Sequence, residues 1–130
     1  MSNQETAPEE RVRTRTGENA ERLALAAREY VEAHSAEKFS LQKIAGALYV
    51  NGSYLLRVFK ARTGMTLLYY HNFVRCQRAK ELLRDPDKTV SQAGEEAGFV
   101  SSSHFSHIFR KITGMTPSEY REGQTNPSDG

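Results

Sequence analysis

Apolar side chains recur along this chain at intervals of three and four, and no stretch alternates residue by residue as a half-buried strand would. The pattern predicts helices only. Leu23, Ala26, Ala27, Tyr30, Val31 and His34 give a first helix from about Asn19 to Ala33. Leu41, Ile44, Ala45 and Leu48 make one face of a short second helix. Ser40 stands at its N-cap, and Phe39 and Ile44 are spaced as a hydrophobic staple. Asn51 can cap a third helix, GSYLLRVFKART, whose inward face is Leu55, Val58 and Phe59. Gly64 follows where a left-handed residue is wanted. Thr66 then caps a long helix that reaches about Leu83 or Arg84 and is stopped by Pro86. TVSQ at Thr89 has the form of a capping box before another short helix. Ser101 caps SSHFSHIFRKIT, with Phe105, Ile108 and Phe109 inward and Gly114 at the end. TPSE at Thr116 is a second capping box, with proline at the first helical position. Residues 1–18 and 123–130 are polar and aperiodic, and are expected to be disordered tails.

The order short helix, turn, helix, glycine, cap occurs twice. Residues 49–70 set on 99–120 share eight residues: Val50/Val100, Ser53/Ser103, Phe59/Phe109, Thr63/Thr113, Gly64/Gly114, Met65/Met115, Thr66/Thr116 and Tyr70/Tyr120. These fall on caps, closing glycines and inward faces. The short helices before them align at an offset of 49, so the second turn is one residue longer. Two copies are too few for a solenoid; they make a pair of similar modules joined by a helix.

A pair of helices joined by a tight turn is the helix-turn-helix unit, in which the first helix braces the second and the second presents its N-terminal residues to base edges. The second helices here are Gly52–Thr63 and Ser102–Thr113. The connecting stretch from Thr66 to Asp85 would span roughly 30 Å as a helix. Major-groove windows on one side of B-DNA recur every ~34–36 Å. One chain could therefore place two such helices a helical turn apart, a covalent substitute for a dimer.

Charge shifts the balance toward an anionic partner. Residues 1–37 hold eight acids and five bases, whereas 38–130 hold thirteen bases and eight acids. The stretches 51–64 and 101–114 together hold five Lys or Arg and no acid. Cys76 is the only cysteine, so no internal disulfide or cysteine zinc site is expected, and packing is its expected role. No metal or other cofactor is implied. His104 and His107 lie three apart without a third ligand nearby in sequence. The polar opening MSNQETAPEE lacks a signal-peptide core, and no apolar run approaches a bilayer span, so a cytoplasmic protein with no membrane contact is expected. No nucleophile–base set, paired carboxylates or glycine-rich phosphate loop points to an enzyme.

The phrases SLQKIAGAL, YLLRVFKARTGMT, RAKELL, AGF and SHFSHIFRKITGMTPSEYR carry a resemblance over residues 39–121. They are similar to the DNA-binding domain of the AraC/XylS family of bacterial transcription regulators. The most specific part is GF–x5–F–x3–F–x4–G–x–TP–x2–YR, from Gly98 to Arg121. The resemblance implies an all-α fold of about seven helices: two helix-turn-helix lobes joined by a long linker helix. The lobes fall at about 19–65 and 86–122, with the linker at about 66–85. It implies a sequence-specific transcription regulator that inserts two recognition helices into successive major-groove windows of double-stranded DNA. RNA polymerase is a further candidate partner. Only some 37 residues precede the resemblance, too few for the family's usual sensor domain; the chain is either a stand-alone regulator or part of a longer one that carries that domain. Two departures stand out. Ala93-Gly94 replaces the family's Ile-Ala and should weaken the second lobe by ~1 kcal/mol through glycine's helix penalty. Asn51-Gly52 replaces Ser-Pro, with modest consequence because asparagine also caps.

The resemblance places base contacts on Ser53, Leu56 and Arg57, which lie opposite the inward face of the first recognition helix. Arg57 can bond O6 and N7 of one guanine. The matching positions of the second helix are Ser102, Ser103, Ser106 and His107; serine pairs with several base edges and discriminates poorly. Phosphate contacts are expected at Lys60, Arg62, Arg110 and Lys111, at the caps Ser40 and Thr89 whose helix ends carry free N–H groups, and at Lys43. A helical protein-interaction module that no longer reads DNA is the competing class.

Overall fold

The computed structural model describes residues 8–124, with side chains from 17 to 123. The parts of the expected tails at 1–7 and 125–130 lie outside the described residues. Within them the chain forms seven helices and no strand: α1 (Pro8–Ala33), α2 (Leu41–Ala47), α3 (Gly52–Thr63), α4 (Leu67–Leu83), α5 (Val90–Ala97), α6 (Ser102–Thr113) and α7 (Pro117–Gln124).

α1 starts well ahead of the expected Asn19, and so takes in residues 8–18 of the expected tail. An absent apolar stripe does not prevent a helix where Glu and Arg are dense and proline sits at the first position. The buried line of α1 is Ala20, Ala24, Ala27 and Val31, with Leu23, Ala26 and Tyr30 half-buried beside it.

The two TGMT phrases do the same work. The Thr63 hydroxyl donates to the Phe59 carbonyl at 2.7 Å and accepts from the Met65 N–H at 3.1 Å. Thr113 repeats this with Phe109 at 2.7 Å and Met115 at 3.3 Å. Gly64 and Gly114 take left-handed φ values of 78° and 88°, and their N–H groups close on the carbonyls of Lys60 and Arg110. The phrase is a helix stop that turns the chain into the next helix. Thr116 and Glu119 then exchange hydrogen bonds as the expected capping box.

The chain divides into two compact units. One holds α1 through Tyr30 and the segment Ser40–Leu67; the other holds Val31–Phe39 and the described residues from Leu68 on. From Leu68 on, α4 falls within the second unit. Its Cys76, Ala79, Leu82 and Leu83 are buried in one core with Ala93, Ala97, Phe99, Phe105 and Phe109. Burial raises the Cys76 thiol to about 12 and keeps it protonated, in line with the packing role expected for it.

α4 also carries a buried polar pair that periodicity did not reveal. Arg75 donates from Nε to the Ser35 carbonyl at 2.8 Å and from a terminal nitrogen to that of Glu37 at 2.7 Å, with its guanidinium over the Phe99 ring. His71, one turn earlier, is buried, and its pKa is lowered to about 4 by that burial and then by Arg75. Arg121 of α7 does for the end of α4 what Arg75 does for the segment after α1: it bonds the carbonyls of Leu83 and Asp85 at 3.0 and 3.3 Å.

Ala93-Gly94 is no packing defect. A Cβ on Gly94 would lie 2.3 Å from the Phe105 ring. The helix penalty of glycine remains, but here it allows a phenylalanine to close onto α5. The first unit has a larger brace residue and a smaller partner at the matching positions, Ala45 with Leu55, both buried.

Both short helices end in the same hydrogen-bonded loop. Val50 N–H reaches the Ala45 carbonyl and Phe99 N–H that of Gly94, each at 3.0 Å. The residue inside that loop is left-handed: Gly98 at φ 109° and Tyr49 at φ 59°. Gly98 must be glycine, because a Cβ would lie 2.7 Å from the Ala36 backbone. Tyr49 holds a conformation that costs an L-residue ~1–2 kcal/mol.

Candidate nucleic-acid interface

In the first unit α2 and α3 pack as the brace and the presented helix. Asn51 accepts from the N–H groups of Ser53 at 2.8 Å and Tyr54 at 3.3 Å, which fixes the start of α3. Leu55, Val58 and Phe59 are buried, so the opposite face is left to solvent. Ser53, Leu56, Arg57 and Lys60 all lie on it and are exposed. The Arg57 guanidinium sits 5.5 Å over the Tyr54 ring, a contact that restricts where its fork points. Tyr54 was missed from sequence, although Tyr–x–x–Arg on a helix places the two side chains as neighbours. Leu56, 39% exposed, is the apolar member of this face.

At the N-terminus of α2, Ser40 accepts from the Lys43 N–H at 3.1 Å, and Lys43 is exposed. Arg62 departs from its expected company. It is exposed, but its guanidinium reaches back to the Gly17 carbonyl of α1 at 3.4 Å. Its position one turn past Val58 and Phe59 turns it toward α1.

In the second unit Thr89 and Gln92 form the expected capping box, with reciprocal bonds of 3.0 and 2.8 Å. Ser101 caps α6 through the His104 N–H at 3.1 Å. Phe105 and Phe109 point inward, and Ser102, Ser103, Ser106, His107, Arg110 and Lys111 are exposed on the outer side. Ser102 is not wholly free: its hydroxyl lies 3.2 Å from that of Ser91 on α5. His104 is half-buried with its ring edge on Phe99, which makes it part of the packing. Lys88 is held by Glu96 at 2.8 Å. Each unit thus brings its expected base-facing residues onto one exposed helix face, with the brace helix's capped N-terminus in the same unit. Among the described residues no three His, Cys, Asp or Glu side chains gather as a metal site would need, and no helix is long and apolar enough to cross a membrane.

Known proteins share this frame. A helix-turn-helix domain model matches residues 44–123. The transcriptional activator RhaS of Escherichia fergusonii is 37% identical over 95 residues, which cover 73% of this chain and 34% of that one. The chain spans about a third of the length of the curated relatives it matches. A transcriptional regulator with an AraC-type DNA-binding domain from Chromobacterium violaceum superposes with a TM-score of 0.76 at 31% identity, covering 84% of this chain and 97% of that one. The DNA-binding domain of the global transcriptional factor AdpA, solved with a target DNA, superposes at 0.72 with 26% identity, covering 83% and 97%. These relatives are regulators and not enzymes, and on the domain match the chain belongs to the AraC/XylS family of helix-turn-helix transcription regulators.

Proposed function

We propose that the chain binds double-stranded DNA sequence-specifically, with α3 and α6 entering successive major-groove windows. The observation that carries this is the repeated unit itself: twice, a capped helix turns its apolar side to a brace helix and leaves a polar face with basic residues and no acid exposed. Phosphates attract such a face, and the N-terminal half of the helix then meets base edges. α4, 17 residues or about 25 Å of helix, suits a chain that must run from one window toward the next.

On α3, Arg57 is the chief reader, forking onto one guanine, with Leu56 suited to a thymine methyl and Ser53 to a neighbouring edge. On α6, Ser102, Ser103, Ser106 and His107 take the equivalent places. Lys60, Arg110, Lys111 and Lys43 hold phosphates, aided by the capped helix ends at Ser40 and Thr89. Arg62, engaged with α1, contributes least of the expected set. RNA polymerase, and a sensor domain on a longer chain, remain candidate partners for regulation.

Selection of bound duplexes from random DNA tests the reading. Enrichment of a motif spanning two major-groove windows supports it. Binding that stays sequence-blind, or vanishes at physiological salt, refutes it.

A further inference from the structure

Tyr49 is out of place by the standards of its own loop. Its counterpart Gly98 is a glycine for a steric reason, whereas Tyr49 carries a large side chain in a left-handed conformation, φ 59°. That side chain is 93% exposed. It has no hydrogen bond, ring contact or ion pair to any described residue that would offset the strain. Strained positions of this kind are found where a side chain has business outside the chain. The place matters as well. Tyr49 lies two residues before Asn51, the cap of α3, at the end of that helix that approaches base edges in a helix-turn-helix. A phenol there has the chemistry of a backbone contact: its O–H donates to a phosphate oxygen, and its ring covers a deoxyribose. The sequence from Lys38 to Lys80, which holds Tyr49 and α3, contains no acidic residue.

We infer that Tyr49 clamps the DNA sugar–phosphate backbone beside the first recognition helix, as a contact outside that helix which positions it without reading sequence. The inference rests on the DNA-binding reading above. The second unit has no equivalent, because Gly98 cannot carry a side chain.

The test uses the 130-residue chain, a duplex bearing its selected site, a scrambled duplex, and fixed ionic strength. Tyr49→Gly removes side chain and strain together. It should weaken binding to both duplexes by about 3–10-fold, as loss of one backbone contact does uniformly across sequences. Its melting temperature should be no lower than the parent's, so lost affinity is not lost folding. Tyr49→Phe keeps the strain and the ring and should lose most of the same affinity. Unchanged affinity in Tyr49→Gly overturns the clamp and leaves the side chain free for a protein partner. Unchanged affinity in Tyr49→Phe overturns the phosphate bond. Arg57→Ala serves as the control. If it relaxes site preference while Tyr49→Gly binds like the parent, the DNA reading stands and only this inference falls. If the parent itself binds no duplex, the DNA reading falls first.

Discussion

The helix-turn-helix of the first unit and that of the second are built to one plan and filled differently. Caps, closing glycines and the left-handed loop residue recur at the same places. The stuffing is exchanged. Where the first has Ile44 and Ala45 on the brace and Leu55 on the presented helix, the second has Ala93 and Gly94 and then Phe105. Bulk has moved from brace to presented helix, and aromatic rings run on through Phe99, Phe105, Phe109 and Tyr120 with centroids 4.9–5.7 Å apart. Equal architecture therefore does not require equal residues, only side chains that close on one another across the seam. The reading faces differ too, arginine on one and serines with a histidine on the other. The two units should be alike in fold and unlike in discrimination.

The anchors at the ends of α1 and α4 offer the strongest way to break the likeness. Arg75 is buried and bonds two carbonyls; Arg121 does the same from a half-buried position. Arg75→Ala should cost about 2–4 kcal/mol in denaturant unfolding, because a buried guanidinium and its two charge-assisted bonds to the Ser35 and Glu37 carbonyls are lost. Arg121→Ala should cost about half of that. Equal losses would show that burial does not separate them.

The exchange of volume is tested next. Gly94→Ala drives a methyl into the Phe105 ring and should destabilise by ~1–3 kcal/mol. Adding Phe105→Leu, which gives the second unit the pairing of the first, should recover much of that loss. Additive losses in the double mutant would remove the compensation.

Arg57→Ala should cost ~1–3 kcal/mol of specific binding and relax preference at one guanine, with the melting temperature unchanged. His107→Ala should cost less and alter preference little. Competition binding with single-base variants of the selected site measures both, and reversed magnitudes would exchange the roles assigned to the two helices.

The first anchor also carries a titrating group, since His71 lies one turn from Arg75 on α4 and feels its charge. Burial and then Arg75 hold the folded pKa of His71 at about 4, below its ordinary 6.5. Between these values the unfolded chain binds the extra proton, so the stabilisation is complete above about pH 6.5 and lost as pH falls toward 4. The parent should lose roughly 1–2 kcal/mol between pH 8 and 5 from this source. His71→Gln should be flatter over the same window; parallel curves would exonerate His71.

The period of the apolar residues, the caps and the two stops Gly64 and Gly114 made the helices from α2 to α7 legible, because each signal is local and chemical. The exposed faces of α3 and α6 followed from the same period. What escaped depends on partners distant in sequence. Arg75 and His71 are polar letters within an apolar stretch, and only the carbonyls of residues 35 and 37 explain Arg75. Gly94 read only as a helix penalty because the packing partner that uses its missing side chain, Phe105, lies on the next helix. Arg62 lies on an exposed helix end, and its turn toward Gly17 needs α1 to be in place. The early start of α1 escaped for the opposite reason, since a charged helix needs no buried stripe to announce it.

Selection of binding sites from random DNA, scored position by position, tests most directly whether alike folds carry unlike readers. The account predicts two half-sites about one helical turn apart. One, under α3, should be sharply defined and include a guanine whose preference Arg57→Ala abolishes; the other, under α6, should be degenerate. Two equally sharp halves, or a sharp half that survives Arg57→Ala unchanged, would contradict it.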